Sequence, residues 1–237
     1  MIDLHCHILP NIDDGPLSVE ESIQMARKAR SDGIKAIVAT PHVMNGNSNA
    51  GKEEILQKVA WFNEELPKHG IDLTIYPGSE IYFNAGLSDQ ILAGNVLSIN
   101  DTGKFYLIEF PFHFLPDGFQ TDFFNLQMHH ITPIIAHPER NFVFQQRFEL
   151  FYDLINMGCL LQINAMSITG GFGEEAMMCA HKLIQSRLAH IIASDAHSRD
   201  SRPPILSKAI HIAKQLVGKI QDIYSLVEEN PRRILEN

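Results

Sequence analysis

IDLHCHILPNIDDG, residues 2–15, starts as a short apolar run and ends in a Pro/Asn/Gly turn. Two histidines one residue apart, His5 and His7, close the run, and Asp13-Asp14 follow in the turn. Side chains alternate across a strand, so His5 and His7 share one side while Cys6 faces the other. An i, i+2 pair of imidazoles at a strand end can grip one ion. Cys6 is expected to face a helix layer as a small buried hydrophobe.

The rest of the chain repeats this theme. Short strand-like runs at 2–7, 35–40, 73–80, 105–110, 132–137, 159–164 and 190–195 alternate with longer helical patterns. Ser18, three residues before Glu21, has capping-box spacing, and Gly33 is a natural stop for the helix that follows. A second helix over 51–70 carries Ile55, Val59 and Phe62 on one face, with Gly70 beyond its end. Further helical patterns lie at 123–130, 147–158, 174–187 and 204–218. Alternating βα units predict a parallel sheet. Most of the strands carry a His, Asp or Glu at or just past the C-terminal end, the place where βα barrels build their sites. An open sheet would gather chemistry at one switch point. The expectation is a closed α/β barrel in a single domain, residues 1–237.

Composition bounds the partners. Nineteen Lys+Arg against 28 Asp+Glu give a formal charge of −9. That opposes a nucleic-acid or anionic-membrane surface, which needs clustered cations. The three cysteines, Cys6, Cys159 and Cys179, are far apart and form no C-x-x-C, so neither a disulfide framework nor a zinc ribbon is expected. The opening MIDLHCH lacks the regions of a secretory signal, and no apolar run reaches about 18 residues. A cytoplasmic location without membrane insertion is expected.

Taken in order, the strand ends offer His5 and His7, Asp14 in the first loop, His42, Glu80, Glu109, His137, Asp195 and His197. A lone strand-end histidine ordinarily packs or hydrogen-bonds. Five imidazoles and four carboxylates meeting at one rim are different, because bare carboxylates brought together repel and lose water. Divalent cations remove that conflict. A donor set without thiolate suits Mn, Fe or Zn. Asp13 is a chemically equivalent candidate beside Asp14. The other histidines, at 69, 113, 129, 130, 181, 190 and 211, are assigned no ligand role; His113 alone lies close to a strand end, within reach of a substrate.

The motifs HCHILPNIDDGP, ATPH, GSE, IEFPF, AHPERN, SDAHSRDSRPP and NPRRILEN carry a resemblance over essentially the whole chain. They resemble the PHP (polymerase and histidinol phosphatase) family. Within it they are most similar to the manganese-dependent protein-tyrosine phosphatases of bacterial capsule and exopolysaccharide operons, the CpsB/YwqE type. The resemblance implies a distorted seven-stranded (β/α)7 TIM-like barrel with three Mn2+ ions, Fe or Zn being alternatives. It implies one ion on His5, His7, Glu80 and Asp195. A second would lie on Glu80 as bridge, Glu109 and His137, and a third on Asp14, His42 and His197. It selects Asp14 over Asp13. Glu109 stands where many PHP relatives carry His, and the phosphatase branch carries Glu.

The implied reaction is hydrolysis of phosphotyrosine in a protein, with the tyrosine-rich tail of a bacterial tyrosine kinase as the expected partner. Paired metals about 3.5–4 Å apart clamp an in-line transfer, and a hydroxide shared between them is the expected nucleophile. Arg140 and Arg202 lie in loops just beyond His137 and His197, where guanidinium groups can bind phosphoryl oxygens bidentately. A phenolate leaving group, with a pKa near 10, lessens the need for a general acid. None is evident, although His42 or His197 would serve if free of metal. Phe112, Phe114 and Phe119 are candidate walls for a phenyl ring, and loop 43–52 a candidate lid. A PHP phosphomonoesterase acting on histidinol phosphate is the alternative. A nuclease and a non-catalytic metal-binding regulator are more distant ones.

Overall fold

Residues 1–44, 50–217 and 223–237 are described in the structure, a computed structural model. Of the expected lid at 43–52, residues 45–49 lie outside them. Strand β1 (Ile2–Cys6) pairs in parallel with β2 (Ala36–Ala39), and β2 with β4 (Thr74–Pro77). A second parallel run joins β3 (His42–Val43), β5 (Glu80–Tyr82), β6 (Phe105–Glu109), β7 (Thr132–Ala136), β8 (Leu160–Asn164) and β9 (Ile191–Ala193). The two runs are one ring. β2 and β3 are halves of a single strand interrupted at Thr40-Pro41, as are β4 and β5 at Gly78-Ser79. Pro41 has no N–H to give to a ladder. Gly78 lets the neighbouring strand approach, since a Cβ there would stand 2.6 Å from Val38 Cγ1.

The ring closes between the chain's first and last strands. Cys6 and Ala196 form a parallel bridge. The Asp195 N–H donates to the His5 carbonyl at 2.8 Å, and the His7 N–H donates to the Ala196 carbonyl at 2.8 Å. The result is the expected seven-stranded βα barrel, distorted where two strands break.

Alternation along each strand sorts the core into two layers. Inward-facing Leu4, Val38, Leu107, Ile134, Ile191 and Ala193 form an inner cluster, sealed at the N-terminal end of the strands by Ile99, Ile234 and Leu235. The last two belong to a C-terminal helix, Asn230–Glu236, and the Asn100 side chain donates to the Leu235 carbonyl at 3.0 Å. Outward-facing Cys6, Ile37, Ile75, Ile108, Ile135, Leu161 and Ile192 meet the helices. Helices α1 (Val19–Ser31) and α2 (Lys52–Lys68) cover part of this layer, α2 burying Ile55, Val59, Phe62 and Leu66 at helical spacing. Fully burying a side chain such as Phe62 stabilises by about 1.5–3 kcal/mol. All three cysteines are free and buried.

Local signals explain the helix ends. Ser18 Oγ accepts from the Glu21 N–H at 3.2 Å. The Glu21 carboxylate takes the Leu17 N–H rather than that of Ser18, so the predicted box is only half formed. Behind α1, Gly33 at φ +90 lets the Ile34 N–H reach the Ala29 carbonyl at 3.0 Å, and Gly70 does the same after α2. The same bonding pattern recurs after the helix Phe119–Met128, but with His130 at φ 58 in the glycine position.

Candidate metal centre

Above the inner apolar layer the barrel interior turns polar, and all nine predicted donors converge there. The first strand shows how. Between Asp3 and Cys6 the register against β2 slips by one residue. This bulge lets consecutive residues serve the interior: Leu4 joins the inner core, while His5 points at the polar mouth. His5 Nε2 and His7 Nε2 lie 3.2 Å apart, each 3.2 Å from Glu80 Oε2. Asp195 Oδ1 completes this group at 3.4 Å and 3.6 Å from the two rings. Metal–donor bonds of about 2.0–2.2 Å place neighbouring donors roughly 3–3.5 Å apart, which is this spacing.

Two further groups adjoin it. His7, Asp14, His42 and His197 offer atoms within 4.8 Å of one another, as do His42, Glu80 and Glu109. Asp14 Oδ1 stands 3.3 Å from His197 Nε2 and 3.6 Å from His42 Nε2. His137 Nε2 lies 2.8 Å from Glu80 Oε1 and 3.7 Å from Glu109 Oε1. Glu80, which contacts His5, His7, His42 and His137, comes from the strand broken at Gly78-Ser79.

The donor atoms lack other partners. His42 Nδ1, Glu80 Oε2, Asp195 Oδ1 and His197 Nε2 are buried and make no hydrogen bond. A buried polar group left so costs about 1–3 kcal/mol, more if charged. A cation at each cluster removes that cost, so the residues fit divalent ions. The proton distribution also shows the crowding. Burial, then the charges of Glu80 and Asp195, pushes Glu109 up to about 8. Burial lowers His42 and His137, and with the His7 charge brings His197 down to about 4. At His5 and His7 burial is outweighed by nearby carboxylates, Glu80 and Asp195 for the first and Asp13 and Glu80 for the second, and both are raised. Glu80 and Asp195 are held low against burial by His5 and other cationic neighbours.

A supporting set of residues turns the donors inward. Asp13 Oδ2 accepts from His7 Nδ1 at 2.6 Å and from the His42 N–H at 3.0 Å. Asp13 thus orients a donor, leaving Asp14 in the cluster. Gln162 Oε1 meets His5 Nδ1 at 2.8 Å, and its amide donates to Asn164 Oδ1, whose own amide donates to Asp195 Oδ2 at 2.7 Å. Glu139 is buried under this row, accepting from the Asn164 N–H and Ser167 Oγ, and burial pushes it up to about 7. Asp3 accepts from the backbone N–H and hydroxyl of Ser194, beneath the last strand end. Sequence reasoning missed Gln162 and Asn164. Their signal was two polar residues at inward positions of the one strand without His, Asp or Glu.

Asp195 binds in two directions. Oδ1 faces the donors, while Oδ2 receives Arg140 Nη1 at 3.1 Å and Arg202 Nη2 at 2.7 Å. Arg202 Nε is buried without a partner. Of the three phenylalanines, Phe112 stacks on His137 with centroids 5.7 Å apart. Phe119 packs into the helix layer against Phe110 and Phe123, and Phe114 is exposed. The expectation of phenyl walls is therefore corrected at Phe119, which is buried away from the mouth, while Phe112 lies at the site. His113 is exposed.

Comparison with known proteins places these features. The family model for capsular polysaccharide synthesis, CpsB/CapC, matches residues 1–236. Tyrosine-protein phosphatase YwqE of Bacillus subtilis (strain 168) is 36% identical over 237 residues, covering 100% of this chain and 92% of the relative. A putative tyrosine-protein phosphatase, CapC of Staphylococcus aureus, is 38% identical over 243 residues, with 100% and 92% covered. A crystal structure from work on YwqE and Streptococcus pneumoniae CpsB, described as unique metal-dependent tyrosine phosphatases, superposes with a TM-score of 0.95 at 36% identity, covering 100% of this chain and 95% of that one.

Proposed function

The chain belongs to the CpsB/CapC family of capsular polysaccharide synthesis, and from that membership we propose that it is a metal-dependent protein-tyrosine phosphatase, a phosphoric monoester hydrolase. The observation that carries the reading is the double use of Asp195, which joins the donor clusters to the two arginines.

Three ions are proposed, on His5, His7, Glu80 and Asp195, on Glu80, Glu109 and His137, and on Asp14, His42 and His197; a donor set of imidazole and carboxylate without thiolate suits Mn, Fe or Zn, and Mn2+ is proposed from the family resemblance. When bound, such ions polarise phosphoryl oxygens and supply an acidified water at neutral pH. The protein's own residues do the rest. Arg140 and Arg202, anchored on Asp195, present their remaining N–H groups to the charge that spreads over the transferring phosphoryl oxygens. Phe112 offers an aromatic edge beside His137. Asp13 and Gln162 keep the Nδ1 atoms of His7 and His5 engaged, so that each Nε2 stays turned inward. A tyrosine phenolate, with a pKa near 10, lessens the need for a dedicated acid.

We read the substrate as phosphotyrosine in a cytoplasmic protein, the tyrosine-rich tail of a bacterial tyrosine kinase being the partner proposed. Among the described residues no helix is long and apolar enough to cross a membrane. The test is metal analysis coupled to turnover of phosphotyrosine peptide and histidinol phosphate, side by side with manganese. Preferential hydrolysis of the peptide supports the reading. Preferential hydrolysis of histidinol phosphate, or a metal-loaded protein inert toward every aryl phosphate, overturns it.

A further inference from the structure

The loop TGGFGEE, residues 169–175, carries no titratable group on its tight part, yet it reaches the phosphate-facing arginines. Gly170 and Gly173 have φ of +84 and +96, and a Cβ on Gly171 would stand 2.7 Å from Met166 Cε. The Gly171 N–H donates to the Met166 carbonyl at 2.8 Å and the Gly173 N–H to the Gly170 carbonyl at 3.2 Å. The left-handed backbone at 170 and 173 favours glycine, and the one side chain carried between them is Phe172. The Arg140 guanidinium lies 4.0 Å from the Phe172 ring centroid and 4.6 Å from that of Phe112. The Arg202 guanidinium lies 5.5 Å from the same Phe172 ring.

Resting on the phosphatase reading above, we propose that Phe172 is a positioning residue for phosphoryl recognition, setting Arg140 and Arg202 through one shared aromatic contact. A guanidinium has two faces and an edge of donors. Two rings within 4.6 Å of the Arg140 guanidinium carbon and Asp195 Oδ2 on its Nη1 restrict the orientations open to the remaining donors. Arg202 is held by Asp195 Oδ2 and the Asp195 carbonyl and touches Phe172, and its buried Nε has no hydrogen-bond partner. The space beside Phe112 and Phe172 is taken by Arg140, so these rings serve the arginine rather than clasping a substrate phenyl group. A long arginine side chain that lost this contact would sample orientations useless to the phosphoryl oxygens, and small misplacements are costly in such sites.

The experiment compares wild type, Phe172→Leu, Phe172→Met and Phe172→Tyr, all manganese-loaded. It reads inorganic phosphate affinity by calorimetry, kcat and KM for p-nitrophenyl phosphate, bound metal and Tm. The Leu and Met variants should bind phosphate about tenfold more weakly, the scale of a lost cation–π contact, with metal content and Tm unchanged. Phe172→Tyr should restore wild-type affinity. In an Arg140→Ala background, Phe172→Leu should cost much less than alone, because its main route of action is gone. Wild-type phosphate affinity in the Leu and Met variants overturns the proposal, as does a full additional loss in the Arg140→Ala background. A wild type that binds phosphate yet hydrolyses no aryl phosphate overturns the phosphatase reading instead, while the binding series still decides the role of Phe172.

Discussion

His7 Nδ1 and Asp13 Oδ2 form a buried pair at 2.6 Å, while the adjacent Asp14 turns to His197 and His42. Neighbouring aspartates thus face different duties: one aims an imidazole, the other joins the donors. Partners that orient a metal-binding histidine typically matter 10–100-fold in affinity or activity. Asp13→Ala should therefore weaken manganese binding by about 10–100-fold without deleting a donor. Asp14→Ala should remove one ion from the stoichiometry. Chelator competition and elemental analysis separate the two. Equal metal content and affinity in Asp13→Ala and wild type would remove the orienting role.

Arg140→Ala and Arg202→Ala should retain their metal and lose turnover of p-nitrophenyl phosphate by roughly 10²–10³, the size of one missing transition-state donor. His5→Ala should lose both metal and turnover. Metal loss from either arginine variant would show that the guanidiniums stabilise Asp195 as a ligand rather than the reacting phosphoryl group.

Metal dependence should grow with pH. In the metal-free protein the raised His5 and His7 contribute stability that is full below their ordinary 6.5 and lost as pH rises through the raised values. Glu109, pushed up to about 8 from 4.5, also costs stability across that interval as pH rises, because the unfolded chain ionises it first. Glu80 and Asp195, held low, give stability above the ordinary carboxylate range that vanishes only in strong acid. Metal binding requires the deprotonated donors and releases those protons. The Tm gap between manganese-loaded and metal-free protein should widen from about pH 5.5 to about pH 8. A constant or shrinking gap in scanning calorimetry would count against metal binding at these groups.

His130→Gly should stabilise the protein. His130 holds φ 58 at the end of its helix, an orientation glycine adopts without the penalty a Cβ imposes. A gain of about 1 kcal/mol is expected, raising Tm by about 2–4 °C in a chain of this size. An unchanged or lower Tm refutes it.

Much of the barrel was legible because short apolar runs alternate with helical patterns and end in chemistry. His5, Glu80 and Asp195 could be assigned to one rim from their places at strand ends alone. Other features depend on the third dimension. The break at Gly78 splits the strand expected over 73–80, and the strand expected over 35–40 resumes beyond Pro41 at His42–Val43. His137 and Asp195 adopt φ of 30 and 51, so their convergence is not the simple alternation that strand geometry suggests. Phe112 and Phe119 look equivalent in the chain, yet one stacks on a donor histidine and the other fills the helix layer. Gln162 and Asn164 were overlooked since amides are silent in a search for charged groups. Phe172 was overlooked because a glycine-rich turn reads as mere connection.

The seam between β1 and the segment after β9 has a consequence during synthesis. Cys6 and Ala196, which meet there, are separated by 190 residues. At an elongation rate of about 5–20 residues per second, the ribosome needs roughly 10–40 s to bridge that interval. Through that time His5 and His7 exist without Asp195 or His197, and the nascent chain owns only fragments of its metal grip. Full metal capture, and any hydrolytic power, is thereby postponed until nearly all of the protein has been made.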